Sequence, residues 1–219
     1  MSGKIKSAYR TSISFYDEVL CGRTWRSKCY LSIFWGGIND IDIAERLLQK
    51  IPKNFNGKLL DVPVGTGIFT ADTYAHLKDA TITGIDYSSE MLEKCENLMS
   101  SRGVSIELLQ GDVGALPFAD EDFDILLSMN GFHVFPDKQK AYDECHRVLK
   151  QGGLFLGCFF IRNELKISDC LVKNVLTKKG WFTPPFESKE TLQNRLKKRY
   201  DLLWFRVDGA IASFLCRKK

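Results

Sequence analysis

Residues 59–70 read "LLDVPVGTGIFT": an apolar run, an acid at Asp61, and a loop holding Gly65 and Gly67. A carboxylate accepts from hydroxyls or from an ammonium, and glycines let a ligand come close to the main chain. Asp61, Gly65 and Gly67 together therefore form a candidate site for a polar cofactor. Two more acids stand downstream, Asp86 in "TGIDYSS" and Asp112 in "LLQGDVGALPF". The loop that cradles phosphates ends in Gly-Lys-Ser/Thr, and no lysine stands there. The dinucleotide loop Gly-x-Gly-x-x-Gly needs a third glycine for close helix–strand packing, and this chain has Thr70 at that place. What remains is the form acid-x-Gly-x-Gly-x-Gly, an S-adenosylmethionine loop, with Pro63 where the first glycine belongs.

These residues need elements to hold them, and from residue 57 the chain alternates strand and helix. Strands are predicted in "KLLDVPV", "ATITGID", "VSIELLQGD", "FDILLSMN" and "LFLGCFFI", and helices in "IFTADTYAHL", "SSEMLEKCENLMSSRG" and "PDKQKAYDECHRVLKQGG". This rhythm predicts an α/β fold whose parallel sheet is covered on both faces. Upstream, "NDIDIAERLLQKIP" puts Ile43, Ala44, Leu47, Leu48 and Ile51 on one helical face. Asp42 and Glu45 there have capping-box spacing, and Pro52 is a stop. Residues 162–199 break the rhythm with polar helical sequence around "GWFTPPFESKE". "DLLWFRVDGAIASFLCRKK" reads as two strands about an Asp208-Gly209 turn. A single domain is expected over 1–219. It divides into an N-terminal helical cap (1–52), a cofactor-binding core (57–161), a helical insertion over the substrate site (162–199) and a terminal hairpin (200–219).

The 219 residues suffice for one α/β core. No apolar run is long enough to span a membrane, and "MSGKIKSAYRTS" lacks the apolar stretch of a signal peptide. Cys21, Cys29, Cys95, Cys145, Cys158, Cys170 and Cys216 are an odd, scattered set without a Cys-x-x-Cys pair. That suits reduced thiols and a cytoplasmic setting, with no disulfide framework and no zinc or other metal site. A net charge of +4 implies a solvated surface rather than nucleic-acid binding.

Further residues carry a resemblance. "ECHRVLKQGGLFL" closely resembles the E-x-x-R-V-L-K-P-G-G segment that precedes the fifth strand of class I methyltransferases, with Gln151 in place of the proline. Together with the loop at Asp61, Asp86 in "TGID" and the "GDV…LPF" segment, it makes the chain from about residue 55 resemble a class I S-adenosylmethionine-dependent methyltransferase. The branch most similar contains the ubiquinone/menaquinone C-methyltransferases and many small-molecule methyltransferases. The resemblance implies a Rossmann-like doubly wound sheet of seven strands, ordered 3-2-1-4-5-7-6, with the last strand antiparallel. S-adenosylmethionine is the implied cofactor and S-adenosylhomocysteine its product. Asp61 is expected to hold the methionine ammonium, with the Pro63 carbonyl facing that end. Gly65 and Gly67 allow close approach. Asp86 takes the ribose hydroxyls, Tyr87 lies against adenine, Asp112 and the Val113 backbone read adenine, and Asn130 contacts the methionine portion.

On the acceptor side, His133 in "NGFHVF" is the one histidine near the expected transfer point, a general base if the nucleophile must shed a proton. Tyr16, Trp25, Phe132, Trp181 and Phe182 are expected to line the substrate pocket. After the fourth strand stands Ser128-Met129-Asn130-Gly131 rather than N/D-P-P-Y/F, which argues against planar amino groups of bases as acceptors. The glutamate pair of arginine methyltransferases and the Pro-Cys nucleophile of cytosine C5 enzymes are also missing. The expected partner is a small molecule offering oxygen, nitrogen or activated carbon, to a monomer or homodimer. The alternative is a protein that binds S-adenosylmethionine without transfer, as a sensor or partner subunit.

Overall fold

The computed structural model describes residues 40–219, so Tyr16, Trp25 and most of the expected N-terminal cap lie outside the described residues. Seven strands form one sheet: β1 (Lys58–Asp61), β2 (Thr81–Asp86), β3 (Glu107–Gln110), β4 (Phe123–Met129), β5 (Leu149–Phe160), β6 (Tyr200–Asp208) and β7 (Ile211–Lys218). Their order is β3-β2-β1-β4-β5-β7-β6. The first five strands pair in parallel, and β7 runs antiparallel to both β5 and β6. The turn between β6 and β7 falls at Asp208-Gly209, where Gly209 has φ +57°.

Alternation along the strands sends neighbours to opposite faces. Leu59, Leu127, Leu156 and Cys158 join one apolar core with α1 (Asp40–Leu48), α2 (Ala71–Tyr74) and α3 (Ser89–Ser101). Leu60, Leu126, Phe155 and Phe159 join another with α4 (Lys138–Val148) and the Leu192 and Leu196 of α6 (Lys189–Arg199). Each such side chain, fully buried, contributes roughly 1.5–3 kcal/mol. Between β5 and β6 the chain also forms α5 (Lys166–Leu171), which runs directly into a π-helical turn over Val172–Leu176.

Several expected boundaries are corrected. Asp42 lies inside helix α1 and is exposed, as is Glu45, so Asp42 is not the cap. Strand β1 stops at Asp61 instead of running to Val64, and the chain turns at Val62 and Pro63. Helix α2 is a single turn. The residues around it are tied by i→i−3 bonds from Thr70, His76 and Leu77, which tighten the chain before β2. "KQGG" ends no helix: it lies inside β5, where Gly152 (φ +75°) accompanies a register shift opposite Phe123–Ile125. Helix α3 meets expectation, since the Ser88 hydroxyl accepts the Met91 N–H and Gly103 (φ +67°) follows its end.

Strand order reverses between β1 and β4. In an open sheet of this kind, that reversal opens a crevice beyond the carboxyl ends of the strands. Asp61, Asp86, Asp112 and Asn130 all stand at those ends.

Candidate cofactor and acceptor site

The site is built around the end of β2. Asp86 is buried, and its carboxylate accepts two main-chain donors: the Gly65 N–H at 3.0 Å and the Ser88 N–H at 2.9 Å. Burial raises its pKa, while those two N–H groups work against the rise. The glycine loop is fixed on both sides. The Val62 N–H donates to the Leu127 carbonyl of β4, and the Val64 N–H to the Ile85 carbonyl of β2. Gly65 has φ +58°, and a Cβ added there would meet no atom within 4 Å. That opening is a cradle that a side chain would fill. Gly67 has φ +73°, and its added Cβ would stand 2.5 Å from Met99 Cε and 3.1 Å from Cys95 Sγ. One glycine faces free space, and the other lets the loop lie on α3.

Asp61, 1 % exposed, accepts the Tyr74 hydroxyl at 2.7 Å. Burial pushes its carboxyl up to about 7; the Tyr74 hydrogen bond opposes that rise and the Asp86 charge adds to it. Just past the end of the neighbouring β4, Asn130 sits in the left-handed region (φ +54°), its N–H donating to the Cys158 carbonyl at 2.7 Å. Asn130 Oδ1 is buried and has no partner among the described residues. A buried acceptor in that state calls for a donor from a ligand.

A cavity opens beside this loop. It is lined by Val62, Pro63, Ile85, Asp86 and Tyr87, by Gly111, Asp112 and Val113, and by Val134, Phe135, Pro136 and Gly180. Tyr87 is 42 % exposed at the rim. Asp112 accepts the Gly114 N–H at 2.8 Å, so it shapes its own turn as well as lining the cavity. The loop after that turn is clamped from α4. Arg147 donates to the Phe118 and Leu116 carbonyls and pairs with Glu144 at 2.7 Å, while Glu144 accepts the Leu116 N–H. In "ECHRVLK" the acid and the arginine thus hold the "LPF" turn in place.

The acceptor-side expectations fare differently. His133 is 2 % exposed and stacks on Phe182 at 4.1 Å, and its Nδ1 accepts the Phe160 N–H at 3.2 Å. Burial lowers its pKa to about 3. With Nδ1 accepting, the neutral ring carries its proton on Nε2, leaving no free lone pair to serve as a base. In this fold His133 Nδ1 serves as an acceptor within the core, and its buried Nε2 has no partner among the described residues. Phe132 packs in the core against Tyr142 (4.1 Å) and Phe135 (5.2 Å) and is not among the residues that line this cavity. Phe182 is buried beneath His133, and Trp181 lies half-buried under Lys179, so the insertion lends the cavity wall Gly180 instead. Tyr16 and Trp25 fall outside the described residues.

Sequence reasoning missed Val134, Phe135 and Pro136, which carry no polar signature. It also missed Gly131, whose added Cβ would strike the Pro63 ring and stand 2.6 Å from Phe135 Cζ. The insertion is stitched to this same loop. The Thr183 N–H donates to the His133 carbonyl at 2.9 Å, the Thr183 hydroxyl to the Val134 carbonyl at 3.1 Å, and Lys138 Nζ to the Phe135 and Thr183 carbonyls.

The strand order with its antiparallel last strand, the glycine loop and the carboxylate at the end of β2 define a Rossmann-like class I methyltransferase fold. Residues 59–153 match the family described as a methyltransferase domain. An uncharacterised chloroplastic methyltransferase of Arabidopsis thaliana is 29% identical over 155 residues, covering 68% of this chain and 42% of the relative. Demethylmenaquinone methyltransferase of Thermus thermophilus is 34% identical over 113 residues, covering 52% of this chain and 48% of the relative. A solved S-adenosylmethionine-dependent methyltransferase from Aquifex aeolicus superposes with a TM-score of 0.63 at 15% identity, covering 87% of this chain and 93% of that one. Residues 59–153 thus resemble methyltransferase domains, and the fold is the one seen in the Aquifex aeolicus protein. The chain spans less than half the length of the Arabidopsis and Thermus relatives.

Proposed function

We propose that this protein transfers a methyl group from S-adenosylmethionine to a small-molecule acceptor through oxygen, nitrogen or activated carbon. The observation that carries the proposal is Asp86, a buried carboxylate that binds the Gly65 N–H at the mouth of a cavity lined by Gly111, Asp112 and Val113. A carboxylate there accepts from ribose hydroxyls. The Gly65 cradle and the unpartnered Asn130 Oδ1 fit the methionine end.

When bound, the cofactor supplies an electrophilic methyl group on a sulfonium. The chain's own part is to bind, orient and exclude water. Asp61 holds the ammonium, with Pro63 beside it. Asp86 fixes the ribose, Tyr87 covers adenine, and Asp112 with the Val113 backbone reads its edge. The Thermus relative's acceptor, as its name gives it, supports a small rather than macromolecular substrate for this chain. No helix among the described residues is long and apolar enough to cross a membrane. The free thiols at Cys95, Cys145, Cys158, Cys170 and Cys216 support action in a reducing, cytoplasmic compartment.

The test is calorimetric titration with S-adenosylmethionine, S-adenosylhomocysteine and NADH, followed by transfer of labelled methyl into extractable small molecules. Binding of the first two and not the third is expected. Binding of NADH alone would overturn the proposal.

A further inference from the structure

Pro63 stands where the acid-x-Gly-x-Gly-x-Gly loop has its first glycine, and it brings a ring that a glycine would not. It carries no N–H and is held through its neighbours, the Val62 N–H on the Leu127 carbonyl and the Val64 N–H on the Ile85 carbonyl. Room for the ring comes from Gly131, in the loop after β4. A Cβ built on Gly131 would strike the Pro63 ring at Cδ, and would stand 2.6 Å from Phe135 Cζ and 2.9 Å from Ser128 Oγ. Gly131 is not one of the left-handed glycines, so no backbone angle asks for glycine here. Close approach alone does.

Gly131 also organises the residues that follow it. Its carbonyl accepts the Val134 N–H at 2.9 Å and the Phe135 N–H at 3.2 Å, a tight turn that brings the Phe135 ring back over the glycine. Phe132 packs edge-on against that ring at 5.2 Å. Phe135 is 7 % exposed and lines the cavity together with Pro63, Val134, Asp86 and Asp112. Pro63 and Phe135 come from separate loops, yet both rest on one residue that has no side chain. Interiors are packed too closely to absorb an added methyl without a shift. A side chain at 131 would therefore push the pyrrolidine or the phenyl ring from its place, and either shift alters the cavity.

We propose that Gly131 is a positioning residue of this site: it seats the Pro63 ring and sets Phe135 against the cavity, so that the glycine loop and the loop after β4 hold the cofactor as one unit. The inference rests on the methyltransferase reading above. Proline at 63 and glycine at 131 are a matched pair, the ring of one filling the space that the other leaves. Gly131 does not itself line the cavity and acts through Phe135, which does.

The test is a pair of double-substitution cycles on the full chain, read by calorimetric titration with S-adenosylhomocysteine and by the thermal midpoint of the free protein. Gly131→Ala alone should weaken binding by about tenfold or more. Combined with Pro63→Gly, which vacates space for the Phe135 ring to move into, the same change should cost about threefold or less. Combined with Phe135→Ala it should again cost about threefold or less, because Gly131 acts through that ring. The free protein repeats the first cycle without ligand: Gly131→Ala should lower the midpoint more in the otherwise unaltered chain than alongside Pro63→Gly. If Gly131→Ala alone does not fold, the doubly substituted Pro63→Gly/Gly131→Ala chain should, and its failure to fold would overturn the inference. So would equal losses of affinity with and without Pro63→Gly, or a lowered midpoint with affinity kept within about twofold. Failure of the unaltered chain to bind S-adenosylhomocysteine overturns the methyltransferase reading instead. The midpoints of the same chains still report whether Pro63 and Gly131 are coupled, so the two failures are told apart.

Discussion

The carboxylate of Asp86 and the N–H of Gly65 are joined at 3.0 Å, so one side chain both shapes the glycine loop and faces the cavity beside it. Removing it strips two roles at once. Asp86→Ala should weaken S-adenosylhomocysteine binding by at least about 1.5 kcal/mol, the scale of a charge-assisted hydrogen bond. Calorimetry reads this as roughly a tenfold rise in Kd. Unchanged affinity would remove the ribose assignment.

Asp61 and Tyr74 set a pH dependence with a definite sign. The Asp61 carboxyl is raised to about 7 in the fold, so its contribution to stability is present at low pH and is lost as pH rises from about 4 to about 7. A cationic ligand prefers the ionised form, so cofactor affinity should rise across the upper part of that window, with proton release on binding near pH 6. The other titratable groups near it are Tyr74, Asp86, Cys95 and Cys158. Asp61→Asn should flatten the affinity profile. Tyr74→Phe removes a bond that lowers the Asp61 pKa and should move the profile to higher pH. Calorimetry in buffers of differing ionisation enthalpy measures both.

The two loop glycines should fail in different ways. Gly65→Ala places its methyl in open space but at φ +58°, so it should cost only about 1–2 kcal/mol of stability, with the larger effect on cofactor affinity. Gly67→Val drives its side chain into Met99 and Cys95 at a positive φ, and should cost about 2–4 kcal/mol of folding stability. Denaturant melts alongside calorimetry separate the two. Equal stability losses would contradict the division of roles.

His133→Ala should destabilise by about 2–4 kcal/mol, through the lost Phe160 N–H to Nδ1 bond and the lost stacking on Phe182. The imidazole pKa is lowered to about 3, so its contribution is present above about pH 6.5 and is lost as pH falls toward 3. The variant should therefore show a shallower acid-side loss of stability. Turnover per folded molecule should hold; a collapse of turnover with folding intact would restore the general-base role.

Much of the site was legible because it is local in sequence. Gly65 and Gly67 occupy the positive-φ positions that glycine favours, and Asp61 and Asp86 end strands whose apolar runs are plain to read. The resemblance implied the strand order that is found. Other residues misled for physical reasons. Nothing in the sequence signalled that Phe132 and Phe182 would be buried, since aromatics suit a core as well as a pocket and only long-range packing separates the two. "KQGG" looked like a helix end because Gly152 has the backbone freedom that suits both a C-cap and a strand irregularity. In the basic tail, Lys218 is buried and caps the carbonyls of His146 and Leu149, which net charge could not reveal.

The sequence by itself determined the cofactor half of this protein, since an acid, two glycines and a second acid at strand ends need only local backbone geometry to become a binding loop. Tertiary structure alone decided the acceptor half. His133 spends its lone pair on Phe160, 27 residues away, and Arg147 clamps a turn about 30 residues upstream. Asp40, buried and without a partner among the described residues, sits on a helix that packs on β5 and β7. Whether an ionisable group is free, spent or stranded depends on what the fold packs against it, and no spacing along the chain encodes that.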